Sequence, residues 1–545
     1  MKKLKYSILL IVGLLMFSSF DESRMFKLSK NMQIFAKLYK QLSVAYVDDV
    51  APGQLMKTSL DAMLKSLDPY TNYISGAQIE IARLERGTVG NIGVITKEIN
   101  GKVIITEVLE GMGANLEGIK AGDELIRIDG KKVTGKTAEE IELFLKGQPD
   151  SNLDISYIPE GASKEISKTL TRTLVPAKTV TYHKMYNDSV GYIKLDQFTR
   201  QCGLAVMNGI NEMRSEADLK SLIFDLRGNP GGLLNESVFI SNLFIAKDKE
   251  IVSTKGKTPS QASSLKGKNE PEFPDMPMVV LTDSNSASAS EIVSGVMQDY
   301  DRAVVMGQRT YGKGLVQQTK DIGFKSKLKV TIAKYYLPTG RCIQAIDYSG
   351  KYTDKGAKEI PDSLKQSFQT LNKGRTVYDA GGVKPDVVLD KAESDSYITY
   401  LKVSNQVFNF VNRFVTQNDS IVGPDEFEVS DAVLSEFKTF LASNNSKYLS
   451  ATEKLMDEMN AVTREEDRST ETAALIQEMK QKIQVELSKN AQTKDELIRR
   501  ELKAEIVSRY FYQKGKTAAS LYDDSVISEA AALLASPEKY SAILR

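Results

Sequence analysis

The chain has 545 residues, 41% hydrophobic and 26% charged. That is too long for one compact domain and rich enough in apolar residues for about two to four. Its 72 basic and 71 acidic residues leave a formal charge of +1, without the basic excess of a nucleic-acid binder, so nucleic acid is set aside as a partner. The single histidine, His183, excludes zinc sites built on two or more histidines, and it is the one residue a Ser-His-Asp triad could use. It sits in a strand-like stretch without a nucleophile motif and reads as a structural or surface histidine. The two cysteines, Cys202 and Cys342, form no CxxC motif; one disulfide or two unpaired thiols both remain open.

In chain order, Lys2, Lys3 and Lys5 precede an apolar run from Ile8 to Phe17, followed by Ser18, Ser19, Asp21 and Glu22. This is the layout of a secretory signal, and residues 1–22 read as a cleaved signal peptide or an uncleaved N-terminal anchor. Either places the protein outside the cytoplasm, in the periplasm or cell envelope, with the anchor as a membrane tether. Residues 25–87 read as helical, with Leu55, Leu60, Met63, Leu64 and Leu67 as an apolar stripe and Asp68-Pro69 as its stop. Residues 88–175 turn to short β runs at 93–96, 103–108, 125–128 and 153–158. One helix lies among them, announced by the capping box Thr137-x-x-Glu140.

Residues 178–390 alternate strands and helices, with strands at 222–226, 278–281 and 303–306 and helices at 233–245 and 288–298, which predicts an α/β domain. Residues 391–545 are polar and helical, read as a packing or oligomerisation module; self-association as a homo-oligomer follows from such helical ends.

Three motifs carry chemistry. Asn285-Ser286-Ala287-Ser288-Ala289-Ser290-Glu291 follows an apolar strand and opens a helix. Amides at a helix start lack intrahelical acceptors, and the dipole there favours negative charge, so a serine at that point is eased toward an alkoxide. A plain N-cap serine fits the same residues. Gly312-Lys313-Gly314-Leu315-Val316-Gln317 places a lysine between glycines; if extended, Lys313 and Gln317 share a face, and Gln317 can orient the amine. A desolvated, neutral lysine can act as a base. Asp225-Leu226-Arg227-Gly228-Asn229-Pro230-Gly231-Gly232 is a strand, glycine turn and helix start, a layout that offers backbone amides to an anion.

Together these motifs resemble the tail-specific, or C-terminal processing, serine peptidases, from roughly Tyr46 to Val388. Tyr46-Val47-Asp48-Asp49, Leu67-Asp68-Pro69-Tyr70 and Gly382-Val383-Lys384-Pro385-Asp386 also match. The resemblance implies a crotonase/ClpP-like α/β catalytic core with an inserted PDZ domain. It implies Ser288 as nucleophile, Lys313 as general base and Gln317 as the group orienting it. Ala289 with Gly232 or Gly231 would form the oxyanion hole, and Glu291 and Thr310 would be supporting residues. Asn285 stands where a glycine is frequent in the family.

The PDZ domain implied at 88–175 would capture peptide C-termini at Asn91 to Val94, with Ile92, Gly93 and Val94 forming the pocket. Lys146-Gly147 stands where relatives often carry an arginine with a gating role, and lysine lacks the planar fork of arginine. The resemblance implies protein or peptide substrates with exposed C-termini and no metal or organic cofactor. A non-catalytic PDZ scaffold for envelope proteins and a crotonase-like acyl-CoA enzyme are the rival readings.

Overall fold

The computed structural model describes residues 2–76, 90–174, 180–348, 358–389, 395–444, 451–465, 470–489 and 491–545, with the backbone alone for residues 2–23. The expected domain boundaries near 88, 175 and 390 lie outside these residues. The chain divides into two compact units. The smaller holds the residues up to Gly76 and the segment Gln317–Thr331; the larger holds nearly all the rest.

In the smaller unit the helix Lys2–Ala45 is followed by the helix Pro52–Lys65 and the short strand Asn72–Ile74. The helical run thus ends at the expected Asp68-Pro69 stop, with an added break before Pro52; residues 77–87 lie outside the described residues. Pro52 starts the second helix, where its missing N–H costs nothing. Beyond Lys65 the Asp68 carboxylate accepts from the amides of Tyr70 and Thr71, both at 2.8 Å, and this turn leads into the strand. The strand pairs antiparallel with Lys327–Lys329. Among the described residues, no helix is long and apolar enough to cross a membrane.

The larger unit begins with an antiparallel sheet in the order Val94–Ile99, Lys102–Val108, Glu124–Ile128, Asn152–Ile158 and Ile166–Thr171. Asn100 and Gly101, both at positive φ, make the two-residue turn between the first two strands, a conformation that suits those residue types. Thr137 and Glu140 cap the helix Ala138–Leu145 reciprocally, as their spacing predicts. Ile141 and Leu145 from that helix join Ile92, Ile105, Leu125 and Leu153 in one core. Val94–Ile99 ends the strand order, so among the described residues its outer edge has no paired strand.

Next comes a six-stranded sheet in the order Val180–Met185, Val190–Leu195, Ser221–Asp225, Met278–Thr282, Val304–Gly307 and Val387–Val388. The first pair is antiparallel and the others are parallel. Parallel strands must be covered on both faces, and these are almost continuously apolar. Phe224, Val280 and Val305 point to one face, against the helices Cys202–Glu216, Leu234–Asn242 and Ala289–Asp299. Ile223, Val279, Leu281 and Val304 point to the other, where Ile527, Ala530, Ala531 and Leu534 of the helix Ser525–Leu534 meet them.

The C-terminal region thus has two parts. Its helices Ser396–Val403, Gln406–Gln417 and Asp431–Ser443 share a core with the helix Ala491–Leu521 around Phe410, Phe437, Leu502 and Ile506, whereas the final helices are a layer of the α/β domain. Cys202 and Cys342 are both free thiols, so the disulfide reading is not realised.

Candidate active site

The strand Met278–Thr282 runs into a turn in which Asp283 accepts from the amides of Asn285 and Ser286, each at 3.0 Å. The Ser286 hydroxyl donates to the carbonyl of Leu226 at 2.9 Å. This fastens the serine-rich segment to the glycine turn. Ser288 follows at φ 56° and ψ −111°, and the helix Ala289–Asp299 starts at the next residue. A non-glycine residue at such dihedrals is strained and has to be held there by its surroundings. The result is a sharp strand-to-helix bend that leaves Ser288 half-exposed while Ala287 and Ala289 are buried.

Glu291 does most of the holding. It is fully buried, and its carboxylate accepts four hydrogen bonds: from the Ser288 amide (2.8 Å), the Lys313 amide (2.8 Å), the Gly312 amide (2.7 Å) and the Thr310 hydroxyl (2.6 Å). Burial pushes its carboxyl up to about 7, against the opposing effect of those four donors. The Tyr335 hydroxyl lies 2.6 Å from the Lys313 carbonyl and 3.2 Å from that of Ser288, a second tie between the same two segments. Lys313 is half-buried, between the buried Gly312 and Gly314. The carboxamide of Gln344 accepts from the Gly314 amide at 2.8 Å. An added Cβ on Gly312 would stand 2.4 Å from Ala345 Cβ, so the lysine segment is packed as tightly as its glycines allow.

The glycine turn comes to the same place. Asn229 donates to the Leu195 carbonyl at 2.7 Å and accepts the Ala287 amide (3.0 Å) and the Ser290 hydroxyl (2.9 Å) on its own carbonyl. A Cβ on Gly231, at φ 96°, would stand 2.9 Å from Ser288 Cβ and 2.8 Å from the Ala289 nitrogen; only glycine permits this approach. The Gly231 amide donates to Asn229 Oδ1 at 2.8 Å, and the residue is buried, whereas Gly232 is exposed. Ser288, Ala289, Glu291, Thr310, Lys313 and Gly231 are thus brought together. Gln317 belongs to the smaller unit, where its carboxamide donates to Thr331 at 3.2 Å.

Asn229, Asp283, Ser286 and Tyr335 were missed in the sequence. Asn229 and Asp283 stand inside or beside the motifs, and polar residues in tight turns are a usable signal. Tyr335 lies on a distant strand and gives no local signal. His183 pairs with Glu212 at 2.8 Å and is over a third exposed, a surface pair as expected.

In the small β domain, Ile92 and Val94 are buried in the core, and Met112 presses on Gly93, where a Cβ would meet its Cβ at 2.5 Å. Lys146 pairs with Glu142 one helical turn back. Arg172 grips the end of this helix: its Nε donates to the Leu145 carbonyl at 2.9 Å, Nη2 to that of Phe144 at 3.2 Å and Nη1 to that of Asn152 at 2.9 Å. Gly147 pairs with Gly90 next to it, so the helix end and the entering strand meet at this arginine.

Family models match three parts of the chain: Peptidase family S41 at residues 189–350, the PDZ domain at 81–156, and the probable PDZ-protease C-terminal helical domain at 397–534. A carboxy-terminal-processing protease of Bartonella bacilliformis is 29% identical over 67% of this chain and 87% of that protein. A probable CtpA-like serine protease of Staphylococcus aureus is 30% identical over 63% of this chain and 66% of that one. Among solved structures, a photosystem II D1 C-terminal processing protease aligns at 23% identity over 66% of this chain and 92% of that chain, with a TM-score of 0.36.

These matches support a tail-specific, PDZ-containing serine peptidase. The chain carries the S41 peptidase fold with a PDZ domain, and it is a serine-type peptidase.

Proposed function

We propose that this protein is an exported endopeptidase of the cell envelope that binds the C-terminal tails of proteins through its PDZ domain and cleaves near those termini with a Ser288–Lys313 dyad. The observation that carries the reading is the Glu291 bridge. One buried carboxylate takes the amides of both Ser288 and Lys313, so the two segments are fixed side by side.

A substrate tail adds to the edge strand Val94–Ile99, with its carboxylate at the Asn91–Val94 loop. Neutral Lys313, oriented by Gln317, takes the proton of the Ser288 hydroxyl. The oxygen attacks the scissile carbonyl, and the oxyanion is held by the amides of Ala289 and Gly232. The buried Gly231 amide is already engaged by Asn229, which favours Gly232 for that role. The protonated lysine gives its proton to the leaving amine, and the C–N bond breaks. Water, deprotonated by the lysine, then releases the acyl group and restores the serine. Glu291 and Thr310 hold the frame and do not touch the substrate.

The apolar spacing Met25, Leu28, Met32, Phe35, Tyr39 and Leu42 alternates three and four along the first helix, and all but Tyr39 are exposed. This supports self-association through a coiled seam. The apolar run from Ile8 to Phe17 supports export, by a cleaved signal or as a tether.

The test is mass spectrometry of a model substrate with an apolar tail, incubated with wild type and with Ser288→Ala. Products near the tail only with wild type, together with phosphonate labelling of Ser288, are expected. Tail binding without cleavage or labelling would reduce the protein to a PDZ scaffold.

A further inference from the structure

Among the polar clusters outside the site, one reaches it through covalent structure. Asp225 ends the strand Ser221–Asp225 and is fully buried. It accepts from the Tyr192 hydroxyl at 2.8 Å, from the Arg227 amide at 2.9 Å, from Arg227 Nε at 3.0 Å and from Arg227 Nη2 at 2.7 Å. Burial pushes the Asp225 carboxyl up, but Lys194 and Arg227 outweigh it and hold it at about 2. The Arg227 carbonyl accepts from Lys194 Nζ at 3.2 Å.

The other end of the arginine fork leaves the peptidase motif. Arg227 Nη1 meets Asp524 Oδ2 at 2.8 Å. Asp524 is itself fixed. Its Oδ1 accepts from the Val526 amide at 2.9 Å and the Ile527 amide at 3.3 Å as the N-cap of the helix Ser525–Leu534. That helix lies on the second face of the catalytic sheet. One residue after Arg227 the glycine turn begins. The Gly228 amide donates to Asp283 at 2.9 Å, and three residues further on Gly231 packs on Ser288.

We infer that Asp524 is a positioning residue of the peptidase site: it fixes Arg227, and through Arg227 the register of the turn that presents the Gly232 amide. This rests on the proposed peptidase reading and adds to it a part for the C-terminal helices, which otherwise contribute only packing. The Arg227 and Asp524 side chains are 20% and 29% exposed, and Arg227 keeps the Asp225 carboxylate as a second partner at 2.7 Å, so loss of the Asp524 charge does not leave the guanidinium unpaired. Small displacements of an oxyanion donor cost far more in rate than in folding.

The decisive variant is Asp524→Asn, since asparagine keeps the helix cap and loses the charge that holds the guanidinium. With the full chain and the tailed substrate, kcat should fall about tenfold, with KM and melting temperature nearly unchanged and phosphonate labelling of Ser288 slowed in parallel. Asp524→Glu should recover most of the loss. Arg227→Lys should lower kcat similarly, and the double variant Asp524→Asn with Arg227→Lys should be no worse than the worse single one.

Full kcat in Asp524→Asn, a loss matched by a lower melting temperature, or additive effects in the double variant would each overturn the inference. In those cases an active, labelled wild type leaves the peptidase reading standing. A wild type that neither cleaves nor reacts overturns both.

Discussion

The Ser288 turn and the Asn91–Val94 loop are both short bends beside a helix, yet they are held in opposite ways. At Ser288 the backbone is strained, and a buried carboxylate with four donors keeps it in place. At Asn91–Val94 the fixing is mostly apolar: Ile92 sits in the core, Met112 presses on Gly93, and one side-chain bond, from the Gly93 amide to Asn91 at 3.0 Å, closes the turn. Apolar packing sets distance loosely, whereas directional hydrogen bonds set angles as well. A proton transfer needs the second kind of control, and capture of a tail along a strand edge tolerates the first.

The sharpest way to break this comparison is at the dyad. Ser288→Ala, Lys313→Ala and Lys313→Arg should each lower cleavage by roughly 10⁴-fold or more while tail binding and the circular dichroism spectrum stay intact. Substantial turnover in Lys313→Ala removes the lysine from the chemistry.

Glu291 comes next. Glu291→Gln sets an NH2 against amide donors and should cost roughly 10- to 100-fold in kcat with little change in KM. The wild type should lose activity as pH falls through about 7, where this carboxyl takes a proton and one donor loses its acceptor. Stability should move the other way. The folded-state value lies above the unfolded 4.5, so the native protein binds the extra proton, and stability falls as pH rises from about 4.5 to 7. The change is roughly 3 kcal/mol. A pH–rate profile beside urea melts would show the two opposed slopes; parallel slopes would mean that Glu291 merely packs.

At the softer bend the effect should be smaller and fall elsewhere. Gly93→Ala forces a Cβ against Met112 at a positive φ, and should raise KM for tailed substrates about tenfold with kcat for a tailless peptide unchanged. An equal loss on both substrates would erase the division of labour between the two bends. The smallest effect concerns strain. Ser288→Gly, although inactive, should be more stable than Ser288→Ala by about 1 kcal/mol in denaturant melts, because glycine accepts φ 56°.

Local patterns were readable in the sequence wherever local physics decides. The Thr137–Glu140 cap, the strands about Phe224 and Val280, and the helix start at Ser288 follow from period and capping. The stop at Asp68-Pro69 was readable, whereas the break before Pro52 was not. The strand Leu315–Gly323, mostly polar and without alternation, was read only as far as Gln317, and its partner Ser326–Tyr336 went unread. At the site, the motif residues were legible one by one. The Glu291 bridge depends on contacts 19 to 22 residues apart, and the Tyr335 tie on 47, where periodicity carries no information. The grip of Arg172 on the end of the helix Ala138–Leu145, and the last helices covering the sheet, are likewise tertiary facts.

That last layer also orders events in time. A sheet of parallel strands whose second face waits for Ile527, Ala530 and Leu534 stays half-clothed until synthesis has passed the helix Ser525–Leu534. Its exposed Ile223, Val279 and Leu281 must meanwhile be shielded by some other apolar surface. The nucleophile's scaffold therefore closes only when the helix Ser525–Leu534 arrives, and a nascent protease cannot reach its working form before that helix has been made.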